Sequence, residues 1–350
     1  MNSMNSMNTK HIGERVSHAA FAACAAFLVL AMLAIFFFVG ANAYQIFTVK
    51  HVNPLAFFFG TSWFPTSGEV GALVMIVGSI SVTTLAVLIS APVSVGLAVF
   101  VTEIAPPWVR RIMQPVFELF LGIPSIIYGL LALQILVPAI AYAYNYLAGA
   151  YLYNGFGLIA AALVLAIMIM PTITSISIDA VRALPMGLRE ASLALGATRW
   201  QTIRGTLLPA ASPGIFTGIV LGMGRAIGET LAISFVIGAS PNSFPFHFTN
   251  VFPYISFTPT SAITVQLLFD FAEATPGSLN YDAIWTLSFV LLVIALLLVL
   301  LSRGIGSRSA YSPRDAGRGE AGTRFRDSIR NTVRDKFAFL RRAQARSTAQ

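Results

Sequence analysis

The 350-residue sequence is poor in charged residues, which form only 10% of it, and it has a single cysteine. Soluble globular domains carry roughly 25% charged residues, so an ordinary soluble domain is excluded. One cysteine, Cys24, excludes an intrachain disulfide and a cysteine-cluster metal site. None of the three lysines follows a glycine, which excludes a Gly-x-x-x-x-Gly-Lys-Ser/Thr phosphate loop. If ATP drives this protein, another chain binds the ATP.

Residues with catalytic chemistry are also sparse. The four histidines lie apart in tails and outer loops, without the spacing of metal ligands. No nucleophile and base stand together in a pocket-forming pattern. We therefore expect no metal site, no catalytic site and no cofactor on this chain.

The excess of positive charge belongs to one end of the chain. Residues 303–350 contain 12 basic and 4 acidic residues, whereas the preceding residues contain 10 of each. A body without net charge does not indicate nucleic-acid binding. The pattern of apolar and basic residues over 324–346 favours a helix lying on an anionic membrane surface, with a disordered extension as the alternative.

Hydrophobic residues make up 56% of the sequence, and the mean hydropathy is +0.77. A bilayer core of about 30 Å requires about 20 apolar residues in a helix. Six segments reach that length: 19–44, 71–100, 116–147, 155–178, 213–238 and 283–301. We predict an all-α integral membrane protein with a six-helix domain over 19–303, an N-terminal tail over 1–18 and a basic tail over 304–350.

The distribution of basic residues predicts the orientation in the membrane. The two tails and the loops after spans two and four carry twenty basic residues, whereas the opposite side carries only Lys50. Both termini are therefore expected in the cytoplasm. On the external side, 45–70 is rich in aromatic residues and suits an interfacial layer. The external loop over 239–282 contains a predicted helix near 261–274, where Asp270 and Glu273 are expected to contact an external protein or solvent.

The predicted cytoplasmic loop over about 181–210 contains a recognisable pattern. Glu190-Ala191-Ser192 is followed by Gly196, Trp200 and the closing pair Leu208-Pro209. A short helix, a glycine turn and a second helix ended by proline predict a helical hairpin that docks a partner. This segment resembles the EAA loop of ATP-binding-cassette importer permeases, with Ser192 and Thr206 departing from the usual residues. The resemblance implies a type I importer fold and coupling to two separate ATP-binding subunits.

Two further segments narrow the resemblance. Residues 122–129 read Gly-Ile-Pro-Ser-Ile-Ile-Tyr-Gly, and residues 222–230 read Gly-Met-Gly-Arg-Ala-Ile-Gly-Glu-Thr. They are similar to signatures of the PstC family of phosphate permease subunits. The resemblance implies an ATP-driven phosphate importer in the inner membrane, with a second homologous permease subunit and an external phosphate-binding protein.

Charged residues inside spans are costly, at roughly 2.5–3.5 kcal/mol each, and are candidates for function. Arg225 and Glu229 are four residues apart in predicted span five, so they are expected on one helix face. Arginine suits phosphate because its planar guanidinium offers parallel donors to an oxyanion. Thr230 and Glu118, the latter placed in span three, complete the predicted substrate path. The alternatives are a structural Arg225–Glu229 ion pair and, for Glu118, pairing with a neighbouring helix or loop.

Three other functions remain open on the sequence alone. The first is a permease of the same type for another oxyanion. The second is an ion-coupled secondary anion transporter, for which coupling acids or inverted repeats would be expected. The third is a membrane scaffold or sensor of phosphate status.

Overall fold

The computed structural model describes residues 2–148, 154–245 and 259–309. The predicted membrane-surface helix over 324–346 therefore lies outside the described residues. Within the described part, six helices are long and apolar enough to cross a membrane. The all-α membrane fold is confirmed, with one small β-hairpin as the departure from it.

The helices, in chain order, are α1 (Asn2–Thr48), α2 (Pro54–Phe59), α3 (Leu73–Val99), α4 (Pro107–Gly122), α5 (Ser125–Leu131), α6 (Val137–Ala148), α7 (Leu158–Arg182), α8 (Met186–Ala194), α9 (Arg199–Thr202), α10 (Leu208–Ile227), α11 (Leu231–Ser234), α12 (Ile263–Phe271) and α13 (Leu279–Ser309). Strands β1 (Trp63–Phe64) and β2 (Glu69–Val70) pair antiparallel around a 3-10 turn over Pro65–Ser67. Three π-helical turns, Phe100–Ile104, Ala132–Leu136 and Ile203–Leu207, extend α3, join α5 to α6 and join α9 to α10.

Helix α7 forms the centre of the bundle. It is largely apolar, as expected of a helix buried among others, and it packs against α3 on one side and α10 on another. Leu165, Ile169 and Ile173 on α7 are fully buried. Gly218 and Gly222 of α10 bring the two helices together, since an added Cβ at either would touch Ile173 or Ile176 of α7. The core thus depends on small residues at the helix contact.

Helices α1 and α13 form a pair at the edge of the bundle. The Phe289 ring lies against Gly40, where a Cβ would stand 3.0 Å from the ring edge. No residue in the most apolar stretch of α1 is fully buried in the isolated chain, and most of them are exposed. Exposed apolar side chains on a membrane helix face lipid or another subunit.

The structure corrects the predicted start of span three at residue 116. The chain forms α4 first, breaks at Ile123 and Pro124, and begins the membrane span at Ser125. Helix α4 is amphipathic, with Phe117 packed between Val101 and Ile178. The apolar half of α4 adds to the hydropathy of the following span, so the two helices look continuous in sequence.

The predicted bounds of span five, 213–238, are also wrong. The membrane helix runs over Arg199–Ile227, through α9 and α10, and it ends at Gly228. The chain then forms the short α11 and returns through a loop to α12. An irregular backbone within membrane depth is tolerated only where protein or a wet cavity surrounds it. Here Ala232, Ile233, Val236 and Ile237 are buried in the core.

The two ends of the bundle carry different structures. One end, called the hairpin end, carries α4, α8 and α9. The opposite end, called the cap end, carries α2, the β-hairpin and α12, which lies within the predicted 261–274 helix. The aromatic layer predicted over 45–70 is divided, because Phe57 and Trp63 are buried whereas Phe59 and Phe64 are exposed.

Candidate functional site

The helical hairpin predicted from the Glu190–Pro209 pattern is present at the hairpin end. Helix α8 ends in a turn at Gly196, whose φ of +83° favours glycine. Thr198 then caps α9 through a capping box with Gln201. The prediction that Pro209 ends the second helix is wrong. Pro209 lies in the first turn of α10, where a missing N–H is tolerated after the π-helical turn.

The tip of the hairpin presents apolar side chains to solvent. Leu195 is 89% exposed and Trp200 is 59% exposed, while Leu193 is also exposed. Of the predicted coupling residues, Glu190, Ala191, Gly196 and Pro209 are exposed, whereas Leu208 is half-buried. Leu207 of the same segment is buried against Val99 and Ile203. An exposed apolar tip flanked by charges is a surface for another protein.

Side chains also fix the hairpin from within. The hydroxyls of Ser192 and Thr202 are 3.0 Å apart, and the hydroxyl of Thr206 donates to that of Ser192 at 3.4 Å. Ser192 and Thr206 are the two residues that depart from the EAA pattern. The departures therefore join the two arms of the hairpin through hydrogen bonds. Arg189 of α8 further makes an ion pair with Glu103 at the end of the π-helical turn after α3.

Arg225 lies in the last turn of α10, and Glu229 lies beyond the end of that helix. The prediction that both lie on one face of a continuous helix is therefore wrong. No carboxylate of the described residues is within 4.0 Å of the Arg225 guanidinium, so the structural ion pair with Glu229 is absent. Arg225 donates from Nη1 to Thr172 Oγ1 of α7 at 3.4 Å. Only one N–H group of the guanidinium makes this bond, so other N–H groups can donate to an anion.

The first signature segment packs against the residues that directly follow the second one. Gly129 of α5 lies so close to α11 that an added Cβ would be 3.0 Å from Cα of Ala232 and 2.7 Å from Phe235 Cδ2. Segment 122–129 therefore packs directly on the chain that follows Arg225 and the break at Gly228. The sequence did not reveal this contact between α5 and α11.

Thr230 follows the break at Gly228, whereas Arg225 precedes it in the last turn of α10. It lines a cavity of about 400 Å³ with Gly228, Thr264 and apolar side chains of α12 and α13. Thr264 donates from its hydroxyl to the backbone oxygen of Glu229 at 3.0 Å. This bond ties the break in span five to the cap end.

Glu118 does not lie in span three as predicted. It is exposed on α4, on the hairpin-end side of Ser125, among exposed residues such as Arg111 and Leu119. The expected pairing with a neighbouring helix is not found among the described residues, since none of their basic groups lies within 4.0 Å of its carboxylate. The structure thus separates Glu118 from Arg225 and Thr230.

At the cap end, the carboxylate of Asp270 on α12 accepts hydrogen bonds from two other side chains. Its two carboxylate oxygens accept from Trp63 Nε1 at 2.8 Å and from Gln266 Nε2 at 2.9 Å. Burial raises the Asp270 pKa above its ordinary value, an effect that the two hydrogen bonds oppose and that the nearby Glu273 charge reinforces. The backbone N–H of Trp63 also donates to Asn242. These bonds join the β-hairpin, α12 and the loop after α11.

The sequence missed Glu103 and Thr172, although each had a weak signal. Glu103 is an acid at the end of a long apolar run, and Thr172 is a hydroxyl residue that follows Pro171 inside a membrane helix. Both make the contacts with arginines described above. Among the described residues, no cluster of three or more His, Cys, Asp or Glu could hold a metal ion.

Six membrane helices, a docking hairpin and a broken helix with an arginine at its end define a membrane permease subunit. The family described as "Binding-protein-dependent transport system inner membrane component" matches residues 92–306. The chain belongs to this family. It is therefore a multi-pass inner-membrane component of an ATP-binding-cassette importer, which works with ATPase subunits and a binding protein. An ion-coupled secondary transporter has no support from this membership.

Curated relatives resemble most of the chain. The probable ABC transporter permease protein YqgH of Bacillus subtilis is 42% identical over 307 residues, covering 87% of this chain and 94% of the relative. The phosphate transport system permease protein PstC of Xylella fastidiosa is 36% identical, covering 71% and 78%. PstC 1 of Mycobacterium tuberculosis is 33% identical, covering 77% and 86%. The resemblance to the phosphate permease family is confirmed.

Solved structures show the same fold. A chain of the MetNI methionine ABC transporter in an inward-facing conformation matches with a TM-score of 0.50 and 19% identity, covering 68% of this chain and 96% of that chain. A chain of a bacterial ABC transporter involved in the import of the polysaccharide alginate has a TM-score of 0.50 and 18% identity, covering 81% and 96%. The importer permease fold is thereby confirmed.

Proposed function

We propose that this chain is one permease subunit of an ATP-driven importer of inorganic phosphate. The observation that carries the proposal is the Arg225 guanidinium, which lies in the membrane body without a carboxylate partner among the described residues. The named phosphate permeases among the relatives support phosphate as the solute. A second homologous permease subunit completes the path, because α1 and other span surfaces are exposed in the isolated chain.

Arg225 is proposed to bind the transported anion. A guanidinium gives parallel hydrogen bonds to a tetrahedral oxyanion and keeps its charge at every physiological pH. Thr172 positions that group from α7, and Glu229 at the break is free to accept from a protonated phosphate oxygen. Thr230 lines the neighbouring cavity. Glu118, exposed at the hairpin end, contacts the anion only on exit.

The hairpin end is proposed to face the cytoplasm, with both termini on that side. Basic residues of α4, α8, α9 and the C-terminal tail support this orientation. Glu190, Ala191, Gly196, Leu208 and Pro209 then form the surface that two ATP-binding subunits move. The chain supplies the path, and the ATP chemistry takes place on those partners.

Uptake of labelled phosphate at micromolar concentration by phosphate-starved cells tests the proposal. Cells that lack their own importer receive the chain with its partner subunits, as wild type, Arg225→Gln, Arg225→Lys or Thr172→Val. We expect wild type to restore uptake, Arg225→Gln to lose it, Arg225→Lys to retain part of it and Thr172→Val to weaken it about three- to tenfold, the value of one hydrogen bond. Membrane levels and complex assembly are measured for every variant.

Normal uptake by assembled Arg225→Gln would remove Arg225 from the path. Failure of wild type to restore phosphate uptake would refute the choice of solute. The name of the Bacillus subtilis relative specifies no solute, and another oxyanion is the second candidate. Competition of labelled phosphate by sulfate, molybdate and arsenate distinguishes the two.

A further inference from the structure

Helix α8 has few attachments to the rest of the bundle. None of its residues is buried. Two sets of side-chain contacts hold it: the Ser192 hydroxyl reaches Thr202 and Thr206 within the hairpin, and Arg189 reaches Glu103 outside it. Among the side-chain hydrogen bonds and ion pairs of the described residues, Arg189–Glu103 is therefore the one that joins α8 to a membrane span other than its covalent neighbours.

Glu103 stands at a special position on that span. It lies in the π-helical turn Phe100–Ile104, which ends α3 before the chain turns at Ala105. Single π-helical turns inside helices are frequent at functional sites because they change the direction of the following side chains. The Glu103 side chain is 11% exposed and that of Arg189 is 28% exposed, so solvent screens the pair only in part.

The second arm of the hairpin rests on the same end of α3 through apolar contacts. Val99 packs against Ile203 and Leu207, which belong to the π-helical turn between α9 and α10. Each arm of the hairpin thus contacts the end of α3, one arm through apolar side chains and the other through an ion pair.

Open space lies beneath the first arm. A cavity of about 440 Å³ separates α8 and α9 from the end of α3, and its lining includes Glu103, Arg189, Arg199 and Leu193. Because this space is open, close packing does not transmit a displacement of α8 to α3. The ion pair crosses the gap. Arg189 Nε is buried with no hydrogen-bond partner, so the guanidinium depends on Glu103 for its compensation.

We propose that Glu103 and Arg189 are positioning residues that transmit movement of α8 to the end of α3. When the ATPase subunits displace the hairpin, the ion pair carries the end of α3 with α8, and α10 moves as the continuation of the second arm. The two spans then move together around α7. This inference rests on the proposed function only in requiring that ATPase subunits move the hairpin, whichever solute is carried.

The test uses the complete complex in proteoliposomes, with ATP hydrolysis and solute uptake measured together. Glu103→Gln and Arg189→Gln are compared with the charge swap that combines Glu103→Arg with Arg189→Glu. Arg111→Gln is the matched control, because Arg111 is an exposed arginine of the hairpin end without a described carboxylate within 4.0 Å. Glu103→Asp is a milder variant that keeps the charge and withdraws the carboxylate by one methylene.

Uptake per ATP hydrolysed is expected to fall about fivefold in both neutralised variants, about the value of one partly screened ion pair. It should fall about twofold in Glu103→Asp and return to within about twofold of wild type in the swap. Coupling in the neutralised variants equal to that of Arg111→Gln would overturn the proposal. So would a swap that stays as low as the single variants. If the neutralised variants fail to assemble, wild-type coupling in Glu103→Asp overturns it.

A second measurement is independent of the solute. Spin labels at Leu88→Cys on α3 and Leu195→Cys at the hairpin tip, in a Cys24→Ser background, report the separation of the two elements. Both side chains are exposed, at 65% and 89%. The separation should be the same in the nucleotide-free and ATP-trapped complexes with the ion pair intact. It should change with nucleotide in Glu103→Gln. A nucleotide-dependent change already present with Glu103 and Arg189 intact overturns the proposal, even where phosphate transport itself succeeds.

Discussion

Two glycines on one helix predict opposite outcomes for the same substitution. Gly78 and Gly96 both lie inside α3. A Cβ added at Gly78 would stand 2.1 Å from the backbone oxygen of Ser261, whereas nothing lies within 4 Å of a Cβ at Gly96. We therefore expect Gly78→Ala to destabilise the protein and Gly96→Ala to leave it unchanged or stabilise it.

The size of the effect follows from three terms. Alanine is better than glycine inside a helix by about 1 kcal/mol, and this term applies at both positions. At Gly78 the chain before α12 must move by more than 1 Å to restore an ordinary contact, and such overpacking costs about 1–3 kcal/mol. The same movement strains the bond from the Ile263 N–H to Ser79 Oγ, now 2.8 Å long and worth about 1 kcal/mol. The net loss at Gly78 is about 1–3 kcal/mol.

Thermal unfolding in nanodiscs, followed by tryptophan fluorescence, measures the difference. Trp63 and Trp285 lie near α12 and report on the cap end. We expect a melting temperature several degrees lower for Gly78→Ala than for Gly96→Ala, at about 2–4 °C for each kcal/mol. A melting temperature for Gly78→Ala equal to that of Gly96→Ala would refute the close approach of α3 and the Ser261 backbone.

Two further predictions concern the cap end and the hairpin. Burial raises the Asp270 pKa, so wild type should lose stability relative to Asp270→Asn as the pH rises from the ordinary aspartate range through the raised pKa. Melting temperatures of the two proteins across that pH interval measure the effect. A difference in melting temperature that does not change with pH would contradict the prediction. Gly196→Ala should weaken co-purification of the ATPase subunits more than Gly196→Asn does. A side chain at position 196 has room, so only the φ of +83° opposes it, and asparagine adopts that φ more readily than alanine. Equal recovery of the ATPase subunits with both variants would contradict the prediction.

Much of the fold could be predicted because a bilayer imposes a length and a hydropathy on every span. The hairpin was also predictable, since Gly196 marks a turn between two short helices. The break at Gly228 was not, because glycines are common inside membrane helices and give no sign of which one ends a helix. The expected Arg225–Glu229 pair failed for this reason, since spacing by four residues matters only in a continuous helix.

Contacts between distant residues were beyond the reach of the sequence. Arg189 and Glu103 are separated by 86 residues, and Trp63 and Asp270 by 207. Each partner is an ordinary charged or aromatic residue near the end of an apolar run. The packing of elements that are far apart in the sequence decides which of these residues meet.

The continuity of span five gives the permease a direct mechanical link. The helix over Arg199–Ile227 begins in the docking hairpin and reaches Arg225 in its last turn. At 1.5 Å for each residue it is about 40 Å long, so one helical segment joins the hairpin to Arg225. If the hairpin moves with the ATPase subunits, the proposed anion-binding guanidinium of Arg225 moves with it, because both belong to the same helical segment. Thr172 stays on the central helix α7, so this motion changes its 3.4 Å contact with Arg225. If Pro209 ended the second arm, the helix from the hairpin to Arg225 would be interrupted. The position of Pro209 inside the helix therefore matters for coupling.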